Sequence, residues 1–311
     1  MGRVGAAGAN PSGYPPPMSR PPSFTPPPGA RAHRLRTPRG EFAVIDAGTA
    51  VKGTVLLVPG FTGSKEDFIA LHEPLAEAGY RSVAVDGRGQ YESPGAERDE
   101  APYAQAELAK DLLAQAAAVG DGSPLHLVGH SLGGQISRAA VLRDATPFAS
   151  LTLMASGPAQ ISADQQQRVK LLRDALAVMD MEQVWDAIQA METPEETATG
   201  ALDEGLDDRS DLRRRWLATT PAQLIATGRQ LCAEPDRVAE LAAVDLPKHV
   251  LSGERDDTWP IPVLDDMAVR LRAHRTVIRG AEHSPNTDRP KATADALIGF
   301  WDGVGARVTE R

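Results

Sequence analysis

The six residues Gly129-His130-Ser131-Leu132-Gly133-Gly134 separate the short apolar run Leu125–Val128 from a helical run containing Ile136, Ala139, Ala140 and Leu142. A serine between glycines at a strand-to-helix turn is a nucleophile pattern. Small neighbours let the bend close, and the following helix presents its positive dipole end to developing negative charge. The bare G-x-S-x-G spacing arises by chance in about one chain in eight of this composition, so its placement carries the weight. A serine hydroxyl also needs a base to take its proton. Of seven histidines, His33 falls in an N-terminal tail, His72 in a helix, His130 beside the serine, and His126, His249 and His274 in or beside strands. His283 follows the last strand, in Gly280-Ala281-Glu282-His283-Ser284-Pro285, where a loop can carry it over Ser131.

A carboxylate that orients such an imidazole belongs on another strand-end loop. Gly253-Glu254-Arg255-Asp256-Asp257 follows His249–Leu251, with Pro260 opening the next helix. Asp256 is the candidate and Asp257 its rival. Attack on a carbonyl also creates an oxyanion that needs backbone donors already in place. The candidates are the N–H of Leu132, next to the serine, and that of Phe61 in Pro59-Gly60-Phe61-Thr62-Gly63-Ser64.

These residues require a scaffold that brings distant loops to one edge. Phe42–Ile45, Thr54–Val58, Ser82–Val85, Leu125–Val128, Leu151–Met154, His249–Leu251 and Arg275–Ile278 read as strands buried on both faces. Helical segments separate them: Asp67–Ala78, introduced by a possible capping box at Ser64–Asp67, and Pro102–Val119. Such alternation implies βαβ units and a mainly parallel sheet. From about 160 to 240 only helical periodicity remains, as in Val169, Leu172, Leu176 and Met179 or Met181, Val184, Trp185, Ile188 and Met191. Thr193-Pro194 should end the second of these helices.

The 311 residues carry 33 basic and 42 acidic side chains, a net charge of −9, with 41% hydrophobic residues. There is ample apolar area for a core. Residues 1–40 hold six arginines and no acid, so the remainder stands at 27 − 42 = −15, a balance unsuited to nucleic acid. Residues 1–38 are rich in proline and read as an unpacked, disordered tail without a signal-type apolar core. One cysteine, Cys232, and no 18-residue apolar run suit a cytoplasmic protein with no membrane span. No cluster of spaced ligands calls for a metal, and no cofactor is expected.

Over residues 42–304 the chain resembles the α/β-hydrolase family. Pro59–Ser64 is similar to its oxyanion loop, with Pro59 where a histidine often stands; Ser131 matches the nucleophile elbow, Asp256 the G-x-x-D-x-x-x-P turn, and His283 the terminal histidine. Asp86–Ser93 resembles the D-x-R-G-x-G-x-S loop, with Tyr91 in place of the second glycine. The resemblance implies an eight-stranded, mostly parallel sheet with an all-helical cap inserted after the sixth strand. The division is then a tail at 1–38, a core at 39–159 and 241–311, and a cap at 160–240.

The resulting expectation is a serine hydrolase of carboxylic esters or similar acyl compounds, using Ser131, His283 and Asp256 with Phe61 and Leu132 as oxyanion donors. Tyr91, Met179, Trp185 and Trp216 are candidate substrate contacts, although at their helical spacing most of the cap residues suit the cap's own core better. A small acyl or ester molecule is the expected partner. Rival readings on the same residues are a cofactor-free perhydrolase, a carbon–carbon or amide hydrolase, and a non-catalytic receptor.

Overall fold

A computed structural model describes residues 18–191 and 208–309, with side chains from 18 to 191 and from 209 to 306. The proline run at 15–17 and the stop at Thr193-Pro194 lie outside the described residues. Eight strands form one sheet: β1 Arg31–Thr37, β2 Gly40–Ala47, β3 Gly53–Val58, β4 Tyr80–Val85, β5 Leu125–His130, β6 Ser150–Met154, β7 Lys248–Gly253 and β8 His274–Ile278. Their order is β1-β2-β4-β3-β5-β6-β7-β8. The β1/β2 and β2/β4 pairs are antiparallel and the other five are parallel.

The central strands alternate their side chains between two apolar layers. Leu56, Val58, Leu127 and Leu153 face one core cluster; Val55, Leu57, Val128, Met154 and Leu251 face the other. Both faces are therefore covered, as an apolar parallel sheet requires. On the second face lie a 3-10 turn, Lys65–Leu71, and α1, His72–Glu77. On the first lie α2, Gln105–Val119, and α3, Leu132–Arg143. Between β6 and β7 every element among the described residues is helical: α4 Ala163–Leu176, α5 Met181–Met191, α6 Asp208–Ala218, α7 Pro221–Ala233 and α8 Val238–Ala242. The chain closes with α9 Ile261–Leu271, α10 Pro285–Asp288 and α11 Pro290–Thr309.

Parallel register aligns the carboxyl ends. Val58 pairs with Gly129, His130 with Met154, Met154 with Leu251 and Gly253 with Ile278. Phe61, Ser131, Asp256 and His283 each follow one of these strands within five residues, so one rim of the sheet carries all four.

The N-terminal segment departs from the unpacked tail expected of residues 1–38. Strand β1 lies inside residues 1–38, and the segment before it is packed as well, with Pro21 buried and Met18 and Phe24 against the core. β1 escapes recognition because only Leu35 of its seven residues is buried, as suits an edge strand. Its arginines and histidine are cross-strand partners instead: Arg36 pairs with Glu41 at 2.8 Å and His33 faces Asp46 at 3.5 Å. The first helical segment also differs. It starts as a 3-10 turn at Lys65, and the Asp67 carboxylate accepts the Ser64 N–H at 3.2 Å.

Candidate active site

Ser131 follows β5 at φ 53° and ψ −119°, a left-handed conformation that L side chains rarely occupy. The contacts around it leave no room to relax. A Cβ on Gly129 would lie 2.4 Å from the Gly133 carbonyl oxygen, and one on Gly133 would lie 2.4 Å from that of Val58. The Ser131 N–H donates to the Met154 carbonyl at 2.9 Å, tying the turn to the next strand. Strain held by such packing is characteristic of functional turns.

The His283 Nε2 lies 3.0 Å from Ser131 Oγ, and its Nδ1 lies 3.0 Å from each Asp256 oxygen. The Asp256 side chain is fully buried, and its Oδ1 accepts the N–H groups of Thr258 at 2.8 Å and Trp259 at 3.1 Å. The carboxylate therefore fixes a proton on Nδ1 and leaves Nε2 to accept from the serine. Burial works against the imidazolium, but Asp256, with Asp257 and Asp288 farther off, outweighs it and holds the His283 pKa above its ordinary 6.5. Asp257, the rival acid, turns to the helical insertion, where it accepts from Gln165 Nε2 at 2.6 Å.

Two neighbours steady the imidazole. His130 Nε2 donates to the His283 carbonyl at 2.9 Å, and burial, with the charge of His283, pushes the His130 pKa down to about 4, keeping its ring neutral. The Trp259 ring, almost fully buried, lies 6.2 Å from that of His283. The sequence reading did not single out Trp259, although it stands one residue before the proline of the acid turn.

Facing the serine, the loop after β3 comes so close that a Cβ on Gly60 would lie 3.3 Å from Ser131 Cβ. Phe61, the next residue, is buried. Leu132 supplies the first N–H of α3, a position with no intrahelical acceptor. Gln90 was also passed over by the sequence reading: its Nε2 donates to the Gly60 carbonyl at 2.8 Å. A glutamine inside a glycine-rich loop gives no periodic signal.

A second polar cluster adjoins this rim. Lys65 Nζ contacts Glu66 at 2.7 Å, Asp86 at 3.0 Å and Glu92 at 2.8 Å. Burial alone would lower the lysine, but Asp86 and Glu66 hold it above its usual range; burial pushes Asp86 up to about 7 against the pull of that lysine. Arg215, from α6, contacts Asp67 at 3.0 Å with both side chains buried, and also donates to the Ser19 carbonyl. Ser19 Oγ donates to the same Asp67 at 2.7 Å.

Tyr91 takes φ 39°, in the left-handed region that favours glycine. Its ring covers Lys65 Nζ at 4.6 Å, and its hydroxyl accepts from Arg214 Nε at 3.0 Å. Trp216 donates its indole N–H to the Met181 carbonyl at 2.7 Å, and Trp185 and Trp216 are buried in the core cluster against which Met179 packs. These contacts join α5 to α6 and place none of the three against Ser131. Among the described residues no three His, Cys, Asp or Glu side chains gather as a metal site, and no helix is long and apolar enough to cross a membrane.

Residues 55–296 match the model of the alpha/beta hydrolase family. Over 240 residues the chain is 29% identical to the pimeloyl-[acyl-carrier protein] methyl ester esterase of Aeromonas hydrophila subsp. hydrophila, covering 73% of this chain and 87% of that one. A thermophilic esterase from Thermogutta terrifontis superposes with a TM-score of 0.69 at 21% identity, covering 89% of this chain and all of the other. The enol-lactonase from Burkholderia xenovorans LB400 gives 0.70 at 17% identity, covering 86% and 99%.

Proposed function

The chain belongs to the alpha/beta hydrolase family, and on that premise we propose that it is a serine hydrolase of carboxylic esters or related acyl compounds. Ser131 Oγ attacks the carbonyl carbon while His283 Nε2 takes the hydroxyl proton. Asp256 holds the imidazole tautomer and stabilises the imidazolium. The N–H groups of Phe61 and Leu132 receive the oxyanion as the carbonyl bond opens. On collapse, His283 returns the proton to the leaving alcohol and the acyl group stays on Ser131. Water then attacks the acyl-enzyme, giving its proton to His283, and the acid leaves as Ser131 recovers its hydrogen.

The observation that carries this reading is the continuous relay from Ser131 Oγ through both nitrogens of His283 to a buried carboxylate, each link 3.0 Å. The strained turn at Ser131 supports it, because it holds the oxygen at that end of the relay. Residues 160–240 form the cap in this proposal, and a hydrophobic acyl or alkyl group is the preferred substrate. The ester activity of the Aeromonas relative agrees in reaction class.

A graded series of p-nitrophenyl esters, assayed with the parent chain and with Ser131→Ala, tests the proposal. Turnover should rise with acyl length before falling and should vanish in the variant. Equal turnover by the variant would remove Ser131 from the reaction.

A further inference from the structure

The N–H of Phe61 and the carbonyl of Gly60 belong to one peptide group. That peptide is trans, so the two point in opposite directions within one plane. Whatever holds the carbonyl therefore also sets where the N–H points. Gln90 Nε2 holds it at 2.8 Å in a buried contact, the shorter of two bonds to this carbonyl, the other coming from the Gly63 N–H at 3.3 Å.

Gln90 is itself fixed at every polar group. Its side-chain oxygen accepts the Gly87 N–H at 2.9 Å. Its own N–H donates to the Gly87 carbonyl at 3.0 Å, and its carbonyl accepts the Ser93 N–H at 2.8 Å. The amide orientation is unambiguous, since a flip would set oxygen against the Gly60 carbonyl and N–H₂ against the Gly87 N–H. The loop beneath is anchored in turn, because Asp86 accepts the backbone N–H of Lys65 at 2.7 Å and that of Glu92 at 3.2 Å.

We propose that Gln90 is a positioning residue for the oxyanion: by gripping the Gly60 carbonyl it aims the Phe61 N–H at the oxygen that becomes negative when Ser131 attacks. The inference rests on the serine-hydrolase reading and adds to it a side chain that acts through the Gly60–Phe61 peptide. A bond accepted at the carbonyl also polarises the N–H across the same peptide, so the donor is strengthened as well as aimed. A free loop would have to order this peptide during the reaction; here the ordering is complete beforehand, which is where oxyanion stabilisation gains its advantage over water.

The test compares Gln90→Met, close in size but without polar atoms, and Gln90→Glu, which sets an acceptor against the Gly60 carbonyl. Rates on a p-nitrophenyl ester are normalised by fluorophosphonate titration of competent sites, so a misfolded fraction does not enter. Deleting a direct oxyanion donor costs roughly 10²–10³-fold in kcat. A residue one peptide away should cost about tenfold in Gln90→Met, and more in Gln90→Glu, with KM within about twofold of the parent. Inhibition by an alkyl trifluoromethyl ketone, whose adduct carries the same oxyanion, should weaken by the factor lost from kcat/KM, whereas binding of the corresponding methylene alcohol should not change. A purely structural role would raise KM or weaken both inhibitors together. Unchanged kcat and unchanged ketone inhibition in both variants would overturn the proposal. Ser131→Ala, run in parallel, separates the two readings. Loss of turnover there with no effect at Gln90 removes only the positioning role, whereas persistent turnover in Ser131→Ala removes the reaction on which it rests.

Discussion

The rim that holds Ser131 and the seam where α6 meets the 3-10 turn are both buried and both polar, yet they are built by different means. At the rim, Phe61, Ser131, Asp256 and His283 each stand one to five residues beyond a strand end, and sheet register brings them together. At the seam, Ser19, Asp67 and Arg215 come from segments 48 to 196 residues apart and are joined by side-chain hydrogen bonds, one of them to the Ser19 carbonyl. The rim is positioned by backbone, so its chemistry can change without loss of its shape. The seam is its own support. Changes at the rim should therefore alter rate and spare stability, and changes at the seam should do the reverse.

The largest effect expected is at Asp256. Asp256→Asn should lower kcat on the order of 10⁴-fold, by favouring the wrong imidazole tautomer, with the melting temperature nearly unchanged. A matched Asp257→Asn variant should retain most of its rate, and the opposite ranking would make Asp257 the working acid. Next is Arg215→Met, which leaves the Asp67 carboxylate buried and unpaired. Breaking a buried pair costs about 3–5 kcal/mol, so melting should fall by roughly 10 °C. An unchanged melting curve would show that the seam carries no stability, and the contrast would collapse.

A third prediction concerns pH. Burial pushes His72, His126 and His130 down to about 4 and, with nearby positive charge, His249 to about 3. In the unfolded chain these rings take up protons below about 6.5. Their contribution to stability is therefore complete above pH 6.5 and drains away as the pH falls toward 4, by about 1 kcal/mol per ring per pH unit. His283 works the other way: its raised pKa adds stability at low pH that is lost as the pH rises through its folded-state value. Below pH 6.5 four rings outweigh one, so thermal melts should show little loss from pH 7.5 to 6.5 and a decline from 6.5 to 5.

The smallest effect should follow Ser19→Ala, which removes one hydrogen bond to Asp67 and should cost about 1 kcal/mol. Deletion of residues 1–38 should cost considerably more, since it also removes β1. Chemical denaturation of both variants measures the difference, and equal losses would mean that the strand adds nothing.

How far each region could be read from sequence follows from how it is built. Ser131, Asp256 and His283 stand at short fixed offsets from apolar runs, and such offsets are visible in one dimension. The six inner strands were legible for the same reason, being mainly apolar stretches; Arg275–Ile278 was found too, but β8 is the opposite edge of the sheet and only its Ile278 is buried, not both faces as its run suggested. β1 was not, because an edge strand made of arginine, histidine and one leucine has the composition of a tail. Arg215 reads as one of three consecutive arginines on a surface helix, and only folding shows that it is buried against Asp67. Tyr91 is an intermediate case: the resemblance marked a glycine position, which the positive φ suits, whereas the ring's cover over Lys65 shows only in the fold.

The central claim is that His283 makes Ser131 reactive, and the rate of phosphonylation by a fluorophosphonate tests it most directly. In the parent chain the label should map to the peptide carrying Ser131. Its second-order rate should climb with pH through an ionisation above 6.5, and His283→Ala should slow it on the order of 10⁴-fold while the fold persists. A rate that is the same in both proteins, or a label that maps to another residue, would contradict the account.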